Sequence, residues 1–181
     1  MPTPHSDESP EDALALLRAD HAKVLDLFDQ FRSMKDDFDE HEKDALVARI
    51  CGELIVHTAI EEEIFYPEVR AVLSADDLFD EATVEHASAK DLIAQLGAME
   101  PDDDLYDAKV TVLGEYVRHH ADEEESEIFP MVREADIDLD ELGSRLARRK
   151  TRLMDEIGLA DLNALVLPGR EVGRRGAARP S

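Results

Sequence analysis

Two stretches of this chain repeat one pattern of donor residues. His57 is followed by Glu61 and then Pro67, and His120 by Glu124 and then Pro130. In each copy the carboxylate comes four residues after the imidazole and the proline ten. Residues at i and i+4 of a helix share a face one turn apart, so each copy offers a nitrogen and an oxygen donor side by side. A single His-x-x-x-Glu is common in Glu-rich helices. Two copies with matching flanks, Phe65-Tyr66-Pro67 and Ile128-Phe129-Pro130, point to metal ligation. Two further histidines extend the repeat, His21 within Ala19-Asp20-His21-Ala22 and His86 within Val84-Glu85-His86-Ala87.

Helices must position these donors, and the apolar spacing predicts five of them. Ser9-Pro10-Glu11-Asp12 reads as a helix start, with a serine cap, a proline at the first position and acids in the first turn. The stripe Leu14, Leu17, Val24, Leu25, Phe28 and Phe31 follows, with His21 inside it. After a loop around 36–39, in which His41 also falls, a second helix runs through Leu46, Ile50, Leu54, His57, Glu61 and Phe65. Pro67 bends that helix without ending it. A third spans about Phe79 to Met99 with Ala82, His86, Ala89, Ile93 and Leu96 on one face. Pro101 and Asp102 to Asp104 break the chain and can cap a fourth, which turns Val110, Leu113, Val117, His120, Glu124 and Ile128 inward. A fifth, amphipathic helix covers about Leu139 to Ile157.

Short connections favour antiparallel neighbours, so the expected fold class is all-α: an up-down-up-down four-helix bundle with an additional C-terminal helix. The expected organisation is a disordered start at 1–9, the bundle at 10–135, the packed C-terminal helix at 136–160 and a flexible basic tail at 161–181.

Composition narrows the function classes. At 181 residues the chain fits one domain with a single real core. A formal charge of −24 repels phosphates, which argues against nucleic acid and anionic lipid as partners. No run of about 18 apolar residues spans a membrane, and the N-terminus lacks the features of a signal peptide. The lone cysteine, Cys51, cannot form an internal disulfide and fits a reducing cytoplasm, with a role in helix packing.

The order His, His-x-x-x-Glu, His, His-x-x-x-Glu over roughly Leu14 to Val132 resembles the hemerythrin-like (HHE cation-binding) domain. The resemblance implies that His21, His57, Glu61, His86, His120 and Glu124 ligate a non-haem di-iron centre, oxo- or hydroxo-bridged, with both glutamates bridging the irons. Zinc or manganese could take the same donors, since imidazole and carboxylate suit several divalent ions. The chain also departs from the oxygen-carrying members. Where they have a further histidine one turn after the third-helix ligand, it has Lys90, and it has His-x-x-x-Glu where they have His-x-x-x-x-Asp. Ligand counting then leaves about one open position on each metal, which favours redox chemistry with peroxide or oxygen over reversible carriage. The expected function is therefore peroxide or oxygen handling in redox or stress defence, in the manner of catalase-like members of the family. The alternative is a module that senses or binds iron, O2 or NO without turnover.

Several neighbours compete for roles. His119 and Glu123 share the spacing of His120 and Glu124, but the alignment of Pro130 with Pro67 selects the latter pair. Lys90 is expected to snorkel outward. Phe65 and Tyr66 are expected to pack below the site, and Glu62, Glu63, Glu123 and Glu125 to be exposed. His5 and His41 are not expected to be ligands.

Overall fold

The computed structural model describes residues 12–34 and 39–158. The expected disordered start, Ser9, Pro10 and the basic tail lie outside the described residues, but the expected helix start at Ser9 is overturned: Asp12, expected inside the first turn, stands before α1 and caps it by accepting from the Ala15 N–H. The elements are α1 (Ala13–Met34), α2 (Glu40–Ile60), a π-helical turn (Glu61–Phe65), α3 (Tyr66–Arg70), α4 (Asp76–Gly97), α5 (Tyr106–Glu123), a second π turn (Glu124–Ile128), α6 (Phe129–Glu134) and α7 (Leu139–Ile157). Among the described residues there is no strand. The α2–α3 and α5–α6 segments each run on through their π turn, so four long rods form the bundle. α1 packs on α2 and α5, and α4 packs on α5 and α2, which closes the ring. α7 lies against α1, α2 and the first π turn.

Proline explains the π turns. In a regular helix Pro67 would crowd the carbonyl four residues back and supply no N–H. Here the Tyr66 N–H bonds the Glu61 carbonyl and the Phe129 N–H bonds the Glu124 carbonyl, both five residues back. The widened turn lets each proline enter the first turn of the next α segment, where its missing N–H costs nothing. Both rods continue past their prolines.

Caps set the other boundaries. The Asp39 and Asp138 side chains accept from the N–H groups of Glu42 and Glu141, which start α2 and α7. His41 therefore sits in the first turn of α2, not in the preceding loop. α4 begins at Asp76, three residues before the expected Phe79. The N-cap of α5 falls just beyond the Pro101 to Asp104 run expected to supply it. Leu105 stands at that position with φ 72°, and Asp103 instead accepts from the Glu100 N–H. Gly158 closes α7 in the left-handed region, at φ 66°.

The core has two apolar halves. One holds Leu14, Leu17, Ile60, Phe65, Phe79, Phe129, Leu142 and Leu146. The other holds Phe28, Phe31, Ile50, Leu54, Ile93 and Leu113. In the second half α1 and α5 approach closely: a Cβ on Gly114 would lie 2.9 Å from the Phe28 ring. Cys51 packs in this half, and burial followed by the nearby Asp44 pushes its thiol up to about 12. It is a packing residue rather than a thiolate at neutral pH.

Candidate metal centre

Between the two apolar halves lies a layer of buried polar side chains. His21, His57, Glu61, His86, His120 and Glu124 are all buried, Glu61 completely and Glu124 to within 1%. Every one of the six sequence-predicted residues converges on this layer. Each hairpin supplies a pair of imidazoles whose Nε2 atoms face each other, His21 and His57 at 3.1 Å and His86 and His120 at 3.2 Å. Glu61 spans the pairs: its Oε1 lies 3.1 Å from His57 Nε2 and its Oε2 lies 3.2 Å from His86 Nε2. Glu124 Oε2 lies 3.3 Å from His21 Nε2. Donor atoms of His21, Glu61, His120 and Glu124 all fall within 4.8 Å of one another.

The outward nitrogens explain why the inward ones face the site. His21 Nδ1 meets Glu125 at 2.8 Å, His86 Nδ1 meets Glu62 at 3.1 Å, and His120 Nδ1 meets Glu85 at 2.8 Å. A carboxylate only accepts, so in these three rings Nδ1–H donates and the Nε2 lone pair points inward. The fourth ring differs: His57 Nδ1 is 3.7 Å from Asp20, which is drawn instead to a short ion pair with Lys150 of α7. Carboxylates behind imidazoles fix tautomer and orientation and strengthen the nitrogen as a ligand.

The sequence reading missed these partners. Glu62 is exposed as expected, Glu123 and Glu125 are half-buried against that expectation, and Glu62 and Glu125 are each hydrogen-bonded to a histidine. A signal was present, because Asp20 and Glu85 directly precede His21 and His86 while Glu62 and Glu125 directly follow Glu61 and Glu124. Glu62 and Glu125 are also each the second residue of a π turn. Lys90 turns outward as expected and bonds Glu62 at 2.6 Å. His119 is 67% exposed and points away from the buried layer.

The layer demands positive charge. Both oxygens of Glu61 and both of Glu124 are buried without a hydrogen-bond partner, a costly arrangement for carboxylates. Burial alone would raise the Glu61 carboxyl, but the His57 and His86 imidazoles outweigh it and hold it well below the usual range. For His57, burial works downward while Glu61 and Asp20 work upward, and the balance pushes it up to about 10. His86 is raised in the same way against its burial by Glu61. Nε2 atoms that face each other beside buried carboxylates form a donor set that suits a transition metal. Tyr66, expected to pack below the site, does so. Its ring lies 5.6 Å from that of His86, and its buried hydroxyl is pushed well above the usual range by burial and then by Glu61 and Glu124. Above the layer, Leu54, Ala89 and Val117 line a cavity of about 20 Å³ that reaches all four imidazoles, room for a water-sized guest.

An all-α bundle with an interior layer of facing imidazoles and carboxylates defines a metal-binding bundle protein. The chain belongs to the hemerythrin HHE cation binding domain family, whose model matches residues 12–132. It resembles the crystal structure of a hemerythrin HHE cation binding domain-containing protein from Mycobacterium kansasii at a TM-score of 0.70 and 26% identity, over 86% of this chain and 97% of that one. It is also 30% identical over 131 residues to a DNA nickase of Nostoc sp. (strain PCC 7120 / SAG 25.82 / UTEX 2576). That match covers 72% of this chain but only 36% of the nickase. Among the described residues no helix is long and apolar enough to cross a membrane.

Proposed function

We propose that this protein is a non-haem di-iron protein that reacts with peroxide or oxygen in redox defence. His21, His57, Glu61, His86, His120 and Glu124 are the proposed ligands. The observation that carries the reading is the pairing of two imidazole couples around Glu61, whose two oxygens face different couples. Such an arrangement suits two ions that share a carboxylate. Two irons held there would supply one-electron redox chemistry and Lewis-acid binding of a small oxygen species.

The chain's own residues do the rest. Glu125, Glu62 and Glu85 hold three imidazoles in the tautomer that presents Nε2. Leu54, Ala89 and Val117 confine the approach to molecules near the size of water, peroxide, O2 or NO. The two apolar halves keep bulk water from the carboxylates. The charge of −24 is unsuited to phosphate contacts, so the nickase's substrate is not carried over to this chain.

Metal content of protein from iron-supplied cells tests the reading. About two irons per chain, followed by peroxide consumption that the stripped protein lacks, is the expected result. Zinc alone, or one ion per chain, would overturn the di-iron assignment.

A further inference from the structure

The two hairpins are not covered alike. α7 lies over the α1–α2 hairpin, and no corresponding helix among the described residues covers α4 and α5. On that second face His119 Nε2 lies 3.6 Å from Glu85 Oε1 and 3.8 Å from Glu123 Oε2, so three side chains offer donor atoms to one point at the surface. Glu85 belongs to both levels, because its other oxygen accepts from His120 Nδ1 at 2.8 Å.

A cavity of about 10 Å³ joins two of these side chains to the buried layer. Glu85 and Glu123 line it together with His120 and Glu124, and Leu78, Ala82 and Ile128 form its apolar walls. Glu124 is buried to within 1%, and neither of its oxygens has a hydrogen-bond partner. The surface donors therefore lead to an orphaned carboxylate of the buried layer. The sequence repeat supplies an internal comparison. The positions in the first hairpin that match His119 and Glu123 are Val56 and Ile60, both buried. The position that matches Glu85 is Asp20, which is occupied by Lys150. All three positions carry donors only in the second hairpin.

We propose that Glu85, His119 and Glu123 form a surface acquisition site for a divalent cation, which captures the ion and passes it along the cavity to Glu124 and His120. This rests on the di-metal reading of the buried layer. Oxygen and imidazole donors suit Fe2+ and its first-row neighbours, and an acidic surface concentrates cations near the site.

The test follows iron loading rather than turnover. Chelator-stripped full-length protein is mixed anaerobically with Fe2+, and chelator-resistant iron is measured against time. The wild type is compared with His119→Ala/Glu123→Gln, and Glu127→Gln serves as a control for the lost surface charge. The proposal expects the double variant to load roughly tenfold more slowly, to the same iron per chain, with Glu127→Gln loading at the wild-type rate. An unchanged rate in the double variant, or equal slowing in the control, would overturn the acquisition site and leave the buried centre standing. A lower end-point would also overturn it, since the pair would then belong to the resident centre. No chelator-resistant iron in the wild type would overturn the di-metal reading and the acquisition site together.

Discussion

The first hairpin, α1 with α2 and α3, and the second, α4 with α5 and α6, give the interior the same things: two histidines and one glutamate each. They differ one layer out. Behind His57 stands Asp20, 8% exposed and held by Lys150 of α7. Behind His120 stands Glu85, in direct contact with the imidazole and adjoined by His119 at the surface. Inside the bundle the repeat is nearly symmetric, as the proposed pair of metals would ask of both halves. Outside it the symmetry lapses, because among the described residues one half is roofed by a helix and the other is not. The ligands alone would therefore not reveal which side admits anything.

Glu61→Ala should break the comparison outright. Glu61 faces both imidazole couples, so its loss is expected to take metal content from about two ions per chain to near none and lower the melting midpoint by about 10 °C. Retained metal in this variant would remove Glu61 from the proposed ligands. Asp20→Ala and Glu85→Ala sharpen the contrast between halves. Removing Asp20 strands Lys150, which is 20% exposed, and should cost about 3 kcal/mol by chemical denaturation. Removing Glu85 should leave the stability of the metal-stripped protein nearly unchanged while weakening metal binding roughly 10–100-fold. Equal stability losses in the two variants would mean that the roofing of the first hairpin is energetically irrelevant.

A smaller effect should appear in acid. Burial would raise the Asp20 carboxyl, but His57 and Lys150 outweigh it and hold it below its ordinary 3.8. The stabilisation it gives is complete above about 3.8 and disappears as pH falls through the lower folded value. Asp20→Asn should lack that part of the acid dependence in a pH series of melting midpoints, and a superimposable profile would contradict it. Smallest of all, His119→Ala should leave equilibrium metal content intact and shift stability by less than about 0.5 kcal/mol, because the side chain is exposed. Metal loss in that variant would mean that the choice of His120 over His119 is wrong.

Much of this was legible in the residues. The i to i+4 pairs, the duplicated order and the apolar stripes identified the fold and the six inward donors, because burial in a bundle follows helical period. The outer carboxylates were harder. Glu62 and Glu125 neighbour inward residues and so lie about 100° away around the helix axis, where period alone assigns them to solvent. Which histidine they reach depends on how the adjacent rod is turned, and that is a matter of packing. Asp20 was unreadable for another reason: its partner, Lys150, comes from a helix whose docking site the stripe of Leu142, Leu146 and Leu153 does not specify. The π turns left a trace in Pro67 and Pro130, the first of them read as a bend that the helix survives, without showing how it survives.

Those turns also set which length changes the chain can bear. Each five-residue π turn holds one residue more than an α-helix would use to reach the same point. Deleting a single residue there, Glu63 in the first or Ser126 in the second, would let the rod wind as a plain helix and swing everything after it by about 100°. Val69 or Val132, both fully buried, would be carried out of the apolar half they share. An exposed acidic residue on the surface of a rod can thus act as a phase setter, and its mere presence, more than its charge, keeps the far end of the rod in step.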